Sequence, residues 1–137
     1  MKLDPSAFVA DQDLLDALEK RSTTVVCDQD RVLFRQGDEP AGLYVLRSGS
    51  ATLTMTSPTG EVILKTAVTA GALLGLPGFI GGQPYSLTAQ VLKGARLGYI
   101  NRDDFADLML GNPSLSIKVL SVLAAEVRSA RSAISQA

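Results

Sequence analysis

The sequence predicts a mainly β domain with flanking helices, and three observations carry that expectation. Between Thr23 and Ile100 the apolar residues come in short β-branched runs separated by turn residues. Both ends of the chain change to helical spacing. The 137 residues are 46% apolar, enough for one core that needs no staple. The single Cys27 cannot form an internal bridge and, with no histidine in the chain, cannot complete a zinc site, so no metal is expected. The absence of histidine also removes the Ser-His-Asp and Cys-His nucleophile arrangements and the usual general base near neutral pH. An enzyme is therefore not expected. With 13 basic and 14 acidic side chains and no basic stripe, the chain lacks the clustered cations that displace counterions from phosphates, and direct nucleic-acid binding is not expected either.

The elements follow in order. From Asp11 to Lys20, Leu14, Leu15 and Leu18 fall at helical spacing, with acids at the start and cations at the end as the helix dipole prefers. Strands are expected at Thr23–Cys27, Val32–Phe34, Leu43–Leu46, Ala51–Thr56 and Val62–Leu64. Gly37-Asp38, Ser48-Gly49, Ser57-Pro-Thr-Gly60 and Ala70-Gly71 supply the turns between and after them, at the close spacing of a compact β-barrel or sandwich. Leu53 and Met55 alternate with Thr52, Thr54 and Thr56, which predicts one buried and one wet face. A second strand pair is expected at Tyr85–Leu92 and Ala95–Ile100. Asn101-Arg-Asp-Asp opens a short helix that Gly111 ends, and Asn112-Pro113 is a cap and first-turn pair for a last helix reaching about Ser135. The chain thus divides into an N-terminal helical segment (1–22), a β-barrel (23–101) and C-terminal helices (102–137) of a single domain.

Two further patterns bear on function. From Thr66 to Leu92 there are 27 consecutive residues without Asp, Glu, Lys or Arg, but glycines and prolines break the run too often for a bilayer-spanning helix. The N-terminus, Met1-Lys-Leu-Asp-Pro-Ser, has no long apolar run, and a cytoplasmic location is expected. In the last helix Leu120, Leu123, Val127, Ala130 and Ile134 fall at intervals of 3, 4, 3 and 4, a seam of the coiled-coil kind, while Leu115, Val119 and Val122 mark a second apolar face. Packing on the barrel needs one face, so the second predicts a partner, most simply a second copy. A single wide stripe facing the core is the alternative.

The string Phe34-Arg-Gln-Gly-Asp38, followed by Gly42-Leu-Tyr-Val-Leu-Arg-Ser-Gly-Ser50, resembles the cyclic nucleotide-binding domain of the catabolite activator and other Crp/Fnr regulators. Gly60, Gly71, Gly75 and Asn112-Pro113 fall in register with further marks of that family, so the resemblance covers essentially the whole chain. It implies a double-stranded β-helix jelly-roll barrel, an N-terminal helix, a long C-terminal dimerisation helix and a role in signal transduction and transcription regulation.

The resemblance also implies a phosphate-binding cassette. In the family a Gly-Glu pair begins a short helix whose free N–H groups face the cyclic phosphate, the glutamate takes a ribose hydroxyl, and a later arginine pairs with the phosphate. Gly75-Leu76-Pro77-Gly78-Phe79 occupies the first half here and Pro84-Tyr85-Ser86-Leu87 the second. Gly75 and the Ser86 hydroxyl are kept; Leu76 stands in place of the glutamate and Tyr85 in place of the arginine. The uncharged stretch thus coincides with the one place where the fold usually needs two charges. Three readings of the site stay open. The amides of Leu76–Phe79 with Ser86 hold a phosphate weakly, although Pro77 has no N–H; or Leu73, Leu74, Leu76, Phe79, Ile80 and Tyr85 line an apolar cavity for a neutral ligand; or those side chains simply fill the barrel. Arg131, near the family's base-contacting positions, is a further candidate to reach a ligand. No cofactor is expected, tight cyclic nucleotide binding being doubtful.

The expected function is therefore a small-ligand sensor with a degenerate cassette that signals through its C-terminal helix. The alternatives are a ligand-independent dimerisation or scaffold module, and the sensor half of a longer transcription regulator. In those regulators a helix-turn-helix follows the long helix, whereas this sequence stops at Ala137. An enzyme on a cupin-like barrel would need metal-binding histidines on its strands. Asp103, Asp104 and Asp107 are read as helix-start acids rather than metal ligands, and Cys27 has no second thiol to act with.

Overall fold

In the computed structural model, which describes residues 2–135, eight strands and four α-helices follow the expected order. Met1, Gln136 and Ala137, the ends of the expected terminal segments, lie outside the described residues. The strands are β1 (Thr23–Val26), β2 (Arg31–Phe34), β3 (Gly42–Ser48), β4 (Ala51–Thr56), β5 (Val62–Val68), β6 (Leu73–Leu74), β7 (Thr88–Val91) and β8 (Arg96–Asn101). They form two antiparallel four-stranded sheets, ordered β1-β8-β3-β6 and β2-β7-β4-β5, the jelly-roll arrangement. Consecutive strands mostly lie in opposite sheets, so the chain wraps around the barrel rather than meandering.

Alternation along β3 divides the apolar residues between two cores. Leu46 joins Phe34, Leu53, Leu64, Val91 and Leu97 inside the barrel. Leu43 and Val45 face the other way, toward Leu14, Leu18, Phe105, Leu115 and Val119 of the helical layer. The helix α1 (Gln12–Arg21) starts where the Asp11 side chain accepts the Leu14 N–H at 2.9 Å. Asn101 does the same for α3 (Arg102–Gly111), accepting the Asp104 N–H at 2.8 Å. The long helix α4 (Pro113–Ser135) buries Leu115, Val119, Val122, Glu126, Ser129 and Ala133 along one stripe. Polar contacts add to this packing: the Asp4 N–H donates to Ser129 Oγ at 2.7 Å, and Lys118 pairs with Asp11 and Asp13.

Several boundaries differ from the sequence expectation. β5 continues past Leu64 to Val68, because Thr66 and Val68 keep the inward alternation although Lys65 interrupts the apolar run. β6 has two residues, too few to carry any period. The strand expected from Tyr85 begins at Thr88, after a loop in which the Tyr85 N–H donates to Asp38 O and its carbonyl accepts the Gly37 N–H. Asn112 closes α3 rather than capping α4 with its side chain, its Nδ2 donating to Leu108 O at 3.1 Å. A 3-10 turn at Pro5–Phe8, capped by Asp4, precedes α1. Among the described residues no single helix is long and apolar enough to cross a membrane; α3 and α4 pass that test only as a pair bent by 118°.

Candidate functional site

Gly75 joins β6 to the short helix α2 (Leu76–Gly81) at φ 88°, a left-handed conformation that glycine adopts without strain. The position needs glycine for a second reason: a Cβ there would lie 2.5 Å from Tyr85 Cε1. The Tyr85 ring therefore rests on Gly75 itself. It stacks on Phe34 with centroids 3.8 Å apart, and its hydroxyl donates to Gly42 O at 3.2 Å. Burial, reinforced by Tyr44, pushes the phenol up to about 12, so at neutral pH it is an uncharged donor. At the head of α2, Pro77 has no N–H and the Phe79 N–H is spent on Gly75 O, which leaves Leu76 and Gly78 as the first-turn amides. Where Gly75, Gly78, Tyr85 and Ser86 meet, the remaining space is about 10 Å³. That is the lower limit for a single water.

The six apolar residues expected to line one cavity are divided instead. Leu73, Leu76 and Phe79 pack in the helical layer, Leu74 and Tyr85 in the barrel, and Ile80 is exposed. The physical reason is strand alternation in β6, which sends Leu73 and Leu74 to opposite sides, while past the turn at Gly75 the first residues of α2 return to the helical layer. Sequence reading missed Arg102, whose guanidinium lies 4.6 Å over the Phe79 ring and donates to Phe79 O at 2.9 Å. It closes the carbonyl end of α2 and leaves the amide end without a cation.

A larger space lies one step away, between the barrel and α4. This cavity of about 180 Å³ is bordered by Phe8, Met55, Leu64, Pro77, Ser86 and Leu87 on one side and by Glu126, Val127 and Ala130 on the other. Of the predicted site residues, Pro77 and Ser86 reach it, while Gly75, Gly78 and Tyr85 line the small void beneath. Arg131 is exposed and lines neither. Glu126, which sequence reading did not single out, borders both. It is 8% exposed, its Oε2 has no hydrogen-bond partner among the described residues, and burial raises its carboxyl from 4.5 to about 8. A signal for it was available: 126 continues the buried series 115, 119 and 122 at helical spacing, but a charged residue hides an apolar stripe. On the far side of Tyr85 a shallow groove of about 430 Å³ presents Tyr44 and Tyr99 beside Asp38 and Glu39.

The seam residues Leu120, Val127 and Ile134 are 60%, 51% and 60% exposed, so this chain alone does not cover them. Leu123 and Ala130 are half-buried against the helical layer and the barrel respectively. Asp104, in the first turn of α3, and Asp107, beyond that turn, face Arg21 at 3.8 and 3.9 Å, an ordinary exposed ion pairing.

The profile of the cyclic nucleotide-binding domain family matches residues 25–112. The chain is 31% identical over 117 residues to the anaerobic regulatory protein of Aggregatibacter actinomycetemcomitans, covering 85% of this chain and 44% of that one. It is 29% identical to the transcriptional activator protein Anr of Pseudomonas protegens, covering 90% of this chain and 49% of Anr. The chain thus spans about half the length of the curated relatives it matches. Among solved structures, the catabolite activator protein of Thermus thermophilus superposes with a TM-score of 0.80 at 21% identity, over 97% of this chain and 62% of that one. At that identity the likeness is one of fold.

Proposed function

The chain belongs to the cyclic nucleotide-binding domain family, of the Crp/Fnr regulator type, and on that premise we propose that it is a small-ligand sensor whose cassette has lost its charged grip. The observation that carries the reading is the Tyr85 ring lying over Gly75, where the family resemblance places an arginine. A neutral phenol already committed to Gly42 O cannot supply the charge-assisted bond a phosphate takes from a guanidinium. Leu76, in the glutamate's place, is sealed in the helical layer and offers nothing to a ribose hydroxyl. The ligand space in this reading is the cavity under α4, with Pro77 and Ser86 as the cassette's contribution.

Signalling follows from what borders that cavity. Val127 and Ala130 belong both to its wall and to the seam of Leu120, Leu123, Val127, Ala130 and Ile134, through which we assign a homodimer. A ligand that binds one pose of α4 better than another shifts the population toward that pose, and the seam moves with it. A cytoplasmic regulator of transcription, acting through this helix rather than by catalysis, is the role that fits. The near absence of space at Gly75 favours a second reading, a ligand-independent dimerisation module.

A thermal-shift screen of apolar molecules small enough for about 180 Å³, with native mass spectrometry for co-purified compounds, separates the two. The sensing reading expects at least one compound to raise the melting temperature by several degrees. A flat screen with an empty mass spectrum leaves the scaffold reading.

A further inference from the structure

The geometry points to a small protonated amine, an apolar body bearing one cationic nitrogen, as the ligand class of the cavity under α4, with the Glu126 carboxylate as its counter-ion. The inference rests on reading that cavity as the sensing pocket.

Glu126 is the one charged side chain that is buried among the described residues. It occupies a turn of the buried stripe of α4 where Leu115, Val119 and Val122 suggest a plain hydrophobe. The other polar residue of that stripe, Ser129, is satisfied by the Asp4 N–H at 2.7 Å, whereas Glu126 Oε2 has no partner. A carboxyl sealed in this way is costly and is retained where something pairs with it. The cavity it borders contains no lysine or arginine in its wall; Phe8, Met55, Leu64, Leu87 and Ala130 are apolar, and Ser86 is the other polar group.

Burial is the cause of the raised carboxyl, and among the described residues Glu126 forms no ion pair. An anion entering this space would meet no positive partner and one acid. A neutral apolar molecule would fill the volume but leave Oε2 unpaired. An ammonium pairs with the carboxylate and lets the apolar walls cover its body. On binding, the carboxylic acid gives its proton to the buffer, and the incoming ammonium replaces it as the partner of the carboxylate. At pH 7 a carboxyl that titrates near 8 is mostly protonated, so binding releases close to one proton. The volume suits one aromatic ring with a short arm, since an apolar cavity of about 150 Å³ accepts benzene.

Isothermal titration of the full chain with benzylamine, benzyl alcohol and phenylacetate, in two pH 7 buffers of different ionisation enthalpy, tests this. Benzylamine is expected to bind most tightly and to release nearly one proton; Glu126→Gln is expected to weaken it at least about tenfold and abolish the release. Benzyl alcohol or phenylacetate binding as tightly as benzylamine, or Glu126→Gln keeping the wild-type affinity, overturns the amine class while the pocket stands. Failure of all three probes to bind overturns the amine class and, with the flat thermal-shift screen, the sensing reading as well.

Discussion

Glu126→Gln is expected to stabilise the protein strongly at pH 8 and hardly at all at pH 4.5. The carboxyl titrates near 8 in the folded chain and near 4.5 when unfolded, so between those values the native state holds a proton that the unfolded state has lost. Stability therefore falls as pH rises through this window: it is fully present below 4.5 and largely gone above 8. By linkage the loss is roughly 4 kcal/mol at pH 8. Glutamine keeps the size and the polarity of the protonated acid but does not ionise, so the variant escapes the loss. For a domain of this length the gain corresponds to about 12 °C in melting temperature at pH 8. Melting curves followed by circular dichroism at pH 4.5 and 8 check it, and parallel pH profiles for the two proteins would contradict it.

The second large effect is expected at the seam. Leu120→Asp combined with Val127→Asp should convert a dimer to monomers, because each substitution would bury an uncompensated charge against the partner helix. A weakening of about a thousandfold or more follows if each charge costs several kcal/mol. These two positions are preferable to Leu123, since both are more than half exposed while Leu123 already packs against its own helical layer. Folding of the monomer should thus be untouched. Sedimentation velocity reads the outcome directly; a double variant that sediments as the dimer would remove the seam from the account.

How much of this was legible in the sequence depends on how local the signal was. Asp11 and Asn101 announce their helices because a side chain three residues before an amide is enough to satisfy it. Strands whose sequence alternates apolar and polar residues, such as Ala51–Thr56, are equally plain, although only Ala51 and Leu53 of that face are fully buried. The barrel's continuation through Thr66 and Val68 was hidden because Lys65 on the outward face and Thr66 on the inward one break the apolar run without breaking its period. Leu73–Leu74 was not legible at all, since two residues have no period and their pairing with Tyr44 and Val45 is a tertiary fact.

The uncharged stretch from Thr66 to Leu92 is plain in the sequence, but its geometry is not. It runs through parts of both cores, so its side chains do not face a common space. What the sequence could suggest was the loss of a glutamate and an arginine at Leu76 and Tyr85. The tyrosine's stacking over Gly75 and the unpaired carboxyl of Glu126 across the cavity both depend on residues distant in sequence coming together. Such long-range placements have no local signature, and they are the features from which the proposed chemistry is drawn.

We propose that this member of the family keeps the fold while its cassette lacks the charges that hold a cyclic phosphate. Calorimetric titration of the full chain with cyclic AMP and cyclic GMP decides the point: no saturable binding is expected up to about 1 mM of either nucleotide, and a dissociation constant of about 10 µM or tighter would refute the loss.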